Sequence, residues 1–381
     1  MGLGVLGCGR RLVFLTHCLD QLDKPAVYRV FRELMFSVAP AYSNLKRFAG
    51  LRRLLNGNII AYDSGGFQFL TGRLGRPDPR RTVDVYKALG FTGRDFLIQL
   101  DLPPRPDMPP EERRRLIVRS AEFFHVMRGE LPNVLGVVHG WSREELEYSL
   151  SLLEDPDRIG LGSYFSQTYA HGYLQRVAVG SYTVTTVATH SGSAEGVLFR
   201  VKRRVIFERL VTAMNLLRDR DVFLLGASNP NTFHLAFLLG ARYADGSTWR
   251  LAAKMHVIFL PEKGRYSIGK KRVNKRLKDP DLLKRYWKDS LFSDIPFEEW
   301  FSILKSGGRR GFEARALWNA WVMKCEEAIA NEYVNDYDGY LKYLEKRWRD
   351  NSYWRSILRF VDRRVKSPYV REDLTVFLRE G

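Results

Sequence analysis

Three carboxylates, Asp63, Asp101 and Asp245, and one imidazole, His139, each stand directly after a short apolar run, and these residue types suit proton transfer and covalent catalysis. Exchanging one base for another at a glycosidic carbon with retention needs a nucleophile that holds the sugar while the first base leaves. It also needs a second carboxyl group to shuttle the proton of the departing and arriving bases. Asp245, in Tyr243-Ala244-Asp245-Gly246-Ser247-Thr248-Trp249, suits the first task, and Asp63, in Asp63-Ser64-Gly65-Gly66-Phe67-Gln68, the second. Gly65 and Gly66 permit positive φ and close backbone approach to a planar ligand, although Asp-Ser-Gly-Gly also makes a β-turn that holds nothing. Asp101 can accept two hydrogen bonds from an amidine-like edge such as that of guanine, or it can cap the loop before the next helix. His139 can donate to a carbonyl oxygen, or act as a hydrogen-bonded structural group.

These residues need a scaffold that brings the ends of distant segments together. Eight short aliphatic or β-branched runs occur, at Leu12–Thr16, Leu34–Val38, Asn58–Tyr62, Phe96–Leu100, Val134–Val138, Ile159–Leu161, Val222–Leu225 and Ala241–Ala244. Helical periodicity lies between them, over 24–33, 43–55, 80–89, 110–129, 143–153, 194–218 and 230–240, with Ser142 and Asn229 or Asn231 as N-caps. The alternation predicts an α/β fold, a (β/α)8 TIM barrel, whose chemistry belongs at the C-terminal ends of the strands. His17, Ser37, Asp63 to Gly66, Asp101, His139-Gly140-Trp141, Gly162-Ser163, Gly226 and Asp245 all fall there. Residues 164–193 read as an insertion after the sixth strand, containing a hairpin and suited to a lid. After about residue 250 the alternation stops. The predicted division is a catalytic barrel over 1–250 and a basic, mainly helical C-terminal subdomain over 251–381 that begins with a hairpin near 254–269 and packs on the barrel.

The chain has 381 residues, 45% of them hydrophobic, which is enough for a large core. Lys and Arg outnumber Asp and Glu by 61 to 43, and a formal charge of +18 attracts polyanions, nucleic acid first among them. Cys8, Cys18 and Cys325 form no CxxC pair, so neither disulfides nor a cysteine zinc site is expected. With no secretory pattern and no apolar run long enough to span a bilayer, a cytoplasmic protein without membrane contact is expected.

The motifs resemble those of the tRNA-guanine transglycosylase superfamily, and more closely those of its DNA-modifying branch, in order from about Leu12 to Arg250. Asp63-Ser64-Gly65-Gly66-Phe67 is similar to the superfamily's most characteristic motif, in which the Asp is a general base or positions the base. Val138-His139-Gly140-Trp141 resembles a QGW-type motif, Gly160-Leu161-Gly162-Ser163 a GLGS strand end whose amides would face the base carbonyl, and Asp245-Gly246-Ser247-Thr248-Trp249 a DSxxW-like nucleophile segment. Asp101 resembles the base-recognising Asp after the fourth strand. The resemblance implies that Ser64, Gly65, Gly66, Phe67, Asp101, His139, Gly140, Gly162, Ser163 and Gly226 bind the base, with 7-deazaguanine, preQ0 or a close relative, as co-substrate. It implies no redox cofactor, and it brings a homodimer or duplex-opening helper proteins into view. His139 stands where the superfamily has Gln, and Gly246 where it has Ser. The CxCxxC zinc motif of the tRNA enzymes is missing, since Cys325 is the only cysteine after residue 245, and no additional tRNA-binding domain is recognisable after the C-terminal helices. The two absences favour DNA over tRNA.

From Lys263 to Lys288 eleven Lys or Arg face Asp279 and Asp281, a net +9 that is half of the formal excess. Lys270, Lys271, Arg272, Lys275 and Arg276, with Arg250, are the expected phosphate contacts, and Tyr266, Tyr286 and Trp287 are expected to stack on a displaced base. Arg309, Arg310 and Arg315, and then Arg355, Arg359, Arg363 and Arg364, extend the face, which can equally be a solvated surface. Two other functions fit parts of the pattern. The same exchange on tRNA would be marked by label entering tRNA alone. A non-catalytic nucleic-acid-binding barrel has no need of Asp63, Asp101 and Asp245 together. A metal-dependent hydrolase is disfavoured because the histidines lack HxH spacing.

Overall fold

Alternation along each apolar run assigns one face of the strand to the barrel interior and the other to the surrounding helices. The computed structural model describes residues 10–19, 27–70, 74–104, 108–154, 156–162, 173–179, 182–188, 196–201, 203–227, 229–269 and 276–366. Its strands are β1 (Leu12–Cys18), β2 (Glu33–Ser37), β3 (Ile59–Asp63), β4 (Phe96–Ile98), β5 (Val134–Val138), β6 (Arg158–Leu161), β7 (Tyr173–Val179), β8 (Tyr182–Ala188), β9 (Gly196–Val201), β10 (Asp221–Leu224) and β11 (Tyr243–Gly246). Eight of them close into a parallel barrel in the order β1-β11-β10-β6-β5-β4-β3-β2, so the expected (β/α)8 architecture is the observed one. Phe14, Phe96, Phe223 and Tyr243 fill its lower interior, with ring centroids 5.0 to 6.4 Å apart.

The helices Pro79–Leu89, Pro110–Arg128, Arg143–Ser151 and Pro230–Leu238 lie where periodicity places them. Ser142 and Asn229 cap the last two through their side chains, accepting from the amides of Glu145 and Thr232. Three expected helices differ. Of 24–33, the described part holds only a 3-10 turn at Val27–Arg29, tied down because Asn58 Nδ2 donates to the carbonyls of Tyr28 and Phe31. The 43–55 helix is two short pieces, Leu45–Phe48 and Leu51–Leu54, divided at Gly50, whose φ of 71° no helix continues through. The start of 194–218 is instead β9, and the helix begins at Arg203. Val197, Phe199 and Val201 favour a strand, and pairing with β8 completes an antiparallel three-stranded sheet, β7-β8-β9, so the insertion runs further than 193.

Beyond β11 come the helix Thr248–Lys254, the expected hairpin as β12 (Val257–Leu260) and β13 (Gly264–Ser267), and helices at Pro280–Trp287, Phe297–Lys305, Gly308–Glu332, Tyr337–Arg347 and Ser352–Lys366. The long helix Gly308–Glu332 binds this part to the barrel. Glu327 accepts from the Val13 amide at 2.6 Å, and Asn319 bridges the Trp249 and Val257 carbonyls and the Phe259 amide. Side chains of both parts share one apolar core. No described helix is long and apolar enough to cross a membrane.

Candidate active site

On β3, Ile59 and Ala61 face the interior and Ile60 and Tyr62 face outward, so Asp63 points inward from the last position of the strand. On β11, Tyr243 is inside and Ala244 outside, which turns Asp245 inward as well. By the same alternation β1 presents Thr16 to the mouth and sends His17 outward, where its ring packs between Phe36 and Trp249, about 6.0 Å from each. His17 therefore does not belong to the mouth, although it follows the first apolar run.

Asp245 is held by two donors: Thr16 Oγ1 at 2.7 Å from Oδ2, and the Gly226 amide on Oδ1. Gly226 adopts φ 76°, which aims its N–H at that carboxylate. Burial pushes the Asp245 carboxyl up to about 6, and the two donors oppose that rise. Asp63 is paired in register with Ser37. Burial first, and then the negative charges of Asp101 and Asp245, raise its carboxyl to about 7 against the downward pull of the Gly65 amide and the Ser37 hydroxyl. Both inward carboxyls are thus raised towards neutrality, Asp63 further than Asp245, which suits groups that must give and take protons near neutral pH.

The Asp63 turn is pressed against the loop that carries Asp101. Gly65 has φ 84°, and a Cβ added at Gly66 would overlap both the carboxylate and the carbonyl of Asp101. Ser64 is fully buried and its hydroxyl donates to the Gln99 carbonyl at 2.8 Å, so that side chain holds the turn. Gln99 is a hub: its Nε2 donates to the Ser120 carbonyl and its Oε1 accepts from the Val137 amide, tying β3, β4 and β5 together. The loop beyond Asp101 is fixed by Ser120 Oγ on the Leu102 amide and by Trp141 Nε1 on the Pro104 carbonyl.

His139 Nε2 lies 2.9 Å from Asp101 Oδ2, so the imidazole stands at ion-pair distance beside the carboxylate that the sequence assigns to the base edge. Asp101 does not cap the following helix, whose cap Pro109 makes no side-chain bond. Gly162 stands on the inner wall, its Cβ direction 3.9 Å from His139 Cε1. Gly140 serves packing, since a Cβ there would come within 2.7 Å of the Leu146 amide. Phe67 falls in the short helix Gly66–Leu70. Ser163 lies outside the described residues. Sequence reasoning missed Thr16 and Gln99. Period two through Leu12, Phe14 and Thr16 was the signal for the first, and a polar residue inside an apolar strand for the second.

The basic face changes more. Lys270, Lys271, Arg272 and Lys275 lie outside the described residues, Arg276 is exposed, and Arg250 is half-buried on Thr248–Lys254. Of the expected stacking aromatics, Tyr266 is buried in the core. Trp287 donates to the Phe292 carbonyl at 2.9 Å and packs on Phe297, and Tyr286 packs on the same core, so these rings serve the fold. Arg315 is buried, with its guanidinium on the carbonyls of Ala253, Leu304 and Ser306, so it caps chain ends and does not extend the basic face. Arg309 pairs with Glu313 at 2.6 Å.

Among the described residues, the zinc that the resemblance implies finds no matching ligands. Cys325 lies inside the helix Gly308–Glu332, and burial with nearby Glu326 and Asp289 pushes its thiol up to about 12, far from the thiolate a metal needs. Among the described residues no three His, Cys, Asp or Glu side chains group to hold a metal, and Cys8 lies outside them.

No protein-family model matches the chain. It is similar to a tRNA-guanine(15) transglycosylase of Pyrococcus abyssi, with 24% identity over 328 residues that cover 84% of this chain and 44% of that protein. The chain thus spans less than half the length of that relative, and the similarity supports a relationship at the level of the tRNA-guanine transglycosylase superfamily.

Proposed function

We propose that this barrel exchanges a guanine base in nucleic acid for a 7-deazaguanine, with DNA as the polymer. The observation that carries the reading is the pair of inward carboxyl groups at the ends of β3 and β11, one held ionised by two donors and the other poised near neutrality. Asp245 attacks C1′ of the flipped nucleotide as the C1′–N9 bond breaks, and the bonding electrons leave with the guanine. Asp63 in its protonated form delivers the proton that neutralises the departing base. The resulting carboxylate then takes the N9 proton of the incoming 7-deazaguanine, whose nitrogen attacks C1′ and releases Asp245. One glycosidic bond replaces another, so the exchange needs no external energy source. Asp101, steadied by His139, accepts from the guanine N1–H and exocyclic amine, and Gly162 lines the wall beside them.

The choice of DNA is supported by the likeness of the His139-Gly140-Trp141 and Gly162-Ser163 segments to the DNA-modifying branch, and a nucleic-acid substrate of either kind by the formal charge of +18. The test supplies labelled preQ0 with duplex DNA or bulk tRNA in parallel. Label in DNA supports the reading, label in tRNA alone overturns the polymer, and label in neither overturns the exchange.

A further inference from the structure

Six of the eight barrel strands begin at an arginine. Arg11, Arg32, Arg220 and Arg242 directly precede β1, β2, β10 and β11, Arg94 stands two residues before β4, and Arg158 opens β6. At this N-terminal face, the opposite end from Asp63 and Asp245, a cavity of about 300 Å³ is lined by Arg10, Arg32, Arg94 and Arg242 over a floor of Leu12, Ile59 and Tyr243. Glu33 also lines it, but its carboxylate is taken by Lys324 at 2.8 Å. Arg242 is paired with Asp221 at 2.6 Å, and Arg10 lies 3.8 Å from Glu327. Arg32 and Arg94 are exposed, and among the described residues no carboxylate pairs with either.

A barrel bottom built for stability alone would favour arginines matched by carboxylates, as Arg52 is by Asp95 at 2.8 Å. Here four arginines line one concavity, and two of them, Arg32 and Arg94, have no carboxylate partner among the described residues, so an entering anion meets uncompensated positive charge. Guanidinium forks match phosphate oxygens two at a time, and the volume is that of a small ligand site. We propose that this mouth is a second binding site, separate from the reaction centre, for a phosphate-bearing anion whose organic part rests on Tyr243, Leu12 and Ile59. The phosphate comes from a free phosphorylated small molecule or from a nucleic-acid strand, and one experiment separates these sources.

Tripolyphosphate is titrated calorimetrically at low ionic strength into the full chain, into Arg32→Ala/Arg94→Ala, and into Arg115→Ala/Arg119→Ala. The last variant removes the same charge from exposed positions on the helix Pro110–Arg128. The mouth variant is expected to bind about ten-fold or more weakly and the control variant to bind as the wild type does. Equal weakening in both variants, no weakening in the mouth variant, or no binding by the wild type overturns the proposal. Displacement of tripolyphosphate by a 5′-phosphorylated single strand assigns the phosphate to nucleic acid, and its failure to displace assigns it to a free phosphate; both support the site. Because no base exchange is read out, failure here is distinguishable from failure of the proposed function.

Discussion

Thr16 and Asp245 sit on neighbouring strands of the barrel, and the threonine hydroxyl donates to the carboxylate at 2.7 Å. This bond and the Gly226 amide are what keep a buried carboxylate ionised enough to attack carbon. Thr16→Val removes the donor with little change of shape, so the Asp245 carboxyl rises further. The acid limb of the pH profile should move up by about one unit, and kcat/KM at pH 6 should fall about five-fold. In the wild type the profile is expected to be a bell, rising as Asp245 ionises near 6 and falling as Asp63 loses its proton above about 7. An acid limb that Thr16→Val leaves in place would remove the role assigned to this bond.

Asp63 makes a prediction about stability with the opposite sign to its effect on activity. Its folded pKa is raised to about 7, well above that of the unfolded chain, so the folded state binds the proton more tightly. Stability is therefore full at low pH and is lost as pH rises from about 4 towards 7. Asp63→Asn carries no charge to bury, and at pH 8 it should be more stable than the wild type by on the order of 2 kcal/mol while base exchange is lost. The advantage should shrink at pH 5. Chemical denaturation at both pH values measures this, and a variant less stable at pH 8 than at pH 5, relative to wild type, contradicts it.

Gly66 and Gly57 separate close approach from backbone freedom. Gly66→Ala drives a methyl group into Asp101 and should reduce base exchange by more than about 100-fold or prevent folding. Gly57 has φ 95° but nothing within 4 Å of an added Cβ, so Gly57→Ala should cost only about 1–2 kcal/mol and leave kcat unchanged. Thermal melts and turnover of both variants decide the matter; equal effects would mean that the Asp101 approach is not what Gly66 provides.

Arg315 tests the revised basic face. Its buried guanidinium serves three carbonyls, so Arg315→Ala should destabilise the fold by about 3–5 kcal/mol. Nucleic-acid affinity of the folded fraction should stay unchanged, and a change in salt dependence with no loss of melting temperature would return Arg315 to the surface.

Much of this was legible because a barrel strand is a local object. Val134–Val138 and Tyr243–Ala244 are apolar runs with turn residues behind them, and the residue two positions beyond the inward Val137 or Tyr243 must face inward again at the mouth. Asp63, Asp101, His139 and Asp245 were therefore visible as strand-end residues, and their convergence followed from closure of the sheet. Partnership was not legible. His139 reaching Asp101, and Thr16 reaching Asp245 across 229 positions of sequence, depend on which strands become neighbours. Burial of charge misled in the other direction, since Arg315 reads as a surface cation until the ends of the helix Phe297–Lys305 and of Thr248–Lys254 turn their carbonyls towards it. The stretch Gly196–Val201 read as helix because a β-branched strand and a buried helix segment share their apolar residues, and only the partner strand β8 decides between them.

In the proposed exchange Asp245 forms a bond to the sugar. Wild-type chain and Asp245→Asn are each incubated with a guanine-containing DNA duplex, denatured, and weighed as intact protein by mass spectrometry. A protein–DNA adduct is expected with the wild type, dissolved by added 7-deazaguanine as the exchanged strand is released, and no adduct with Asp245→Asn. An adduct of undiminished yield on Asp245→Asn, or base exchange by that variant at the wild-type rate, would contradict it.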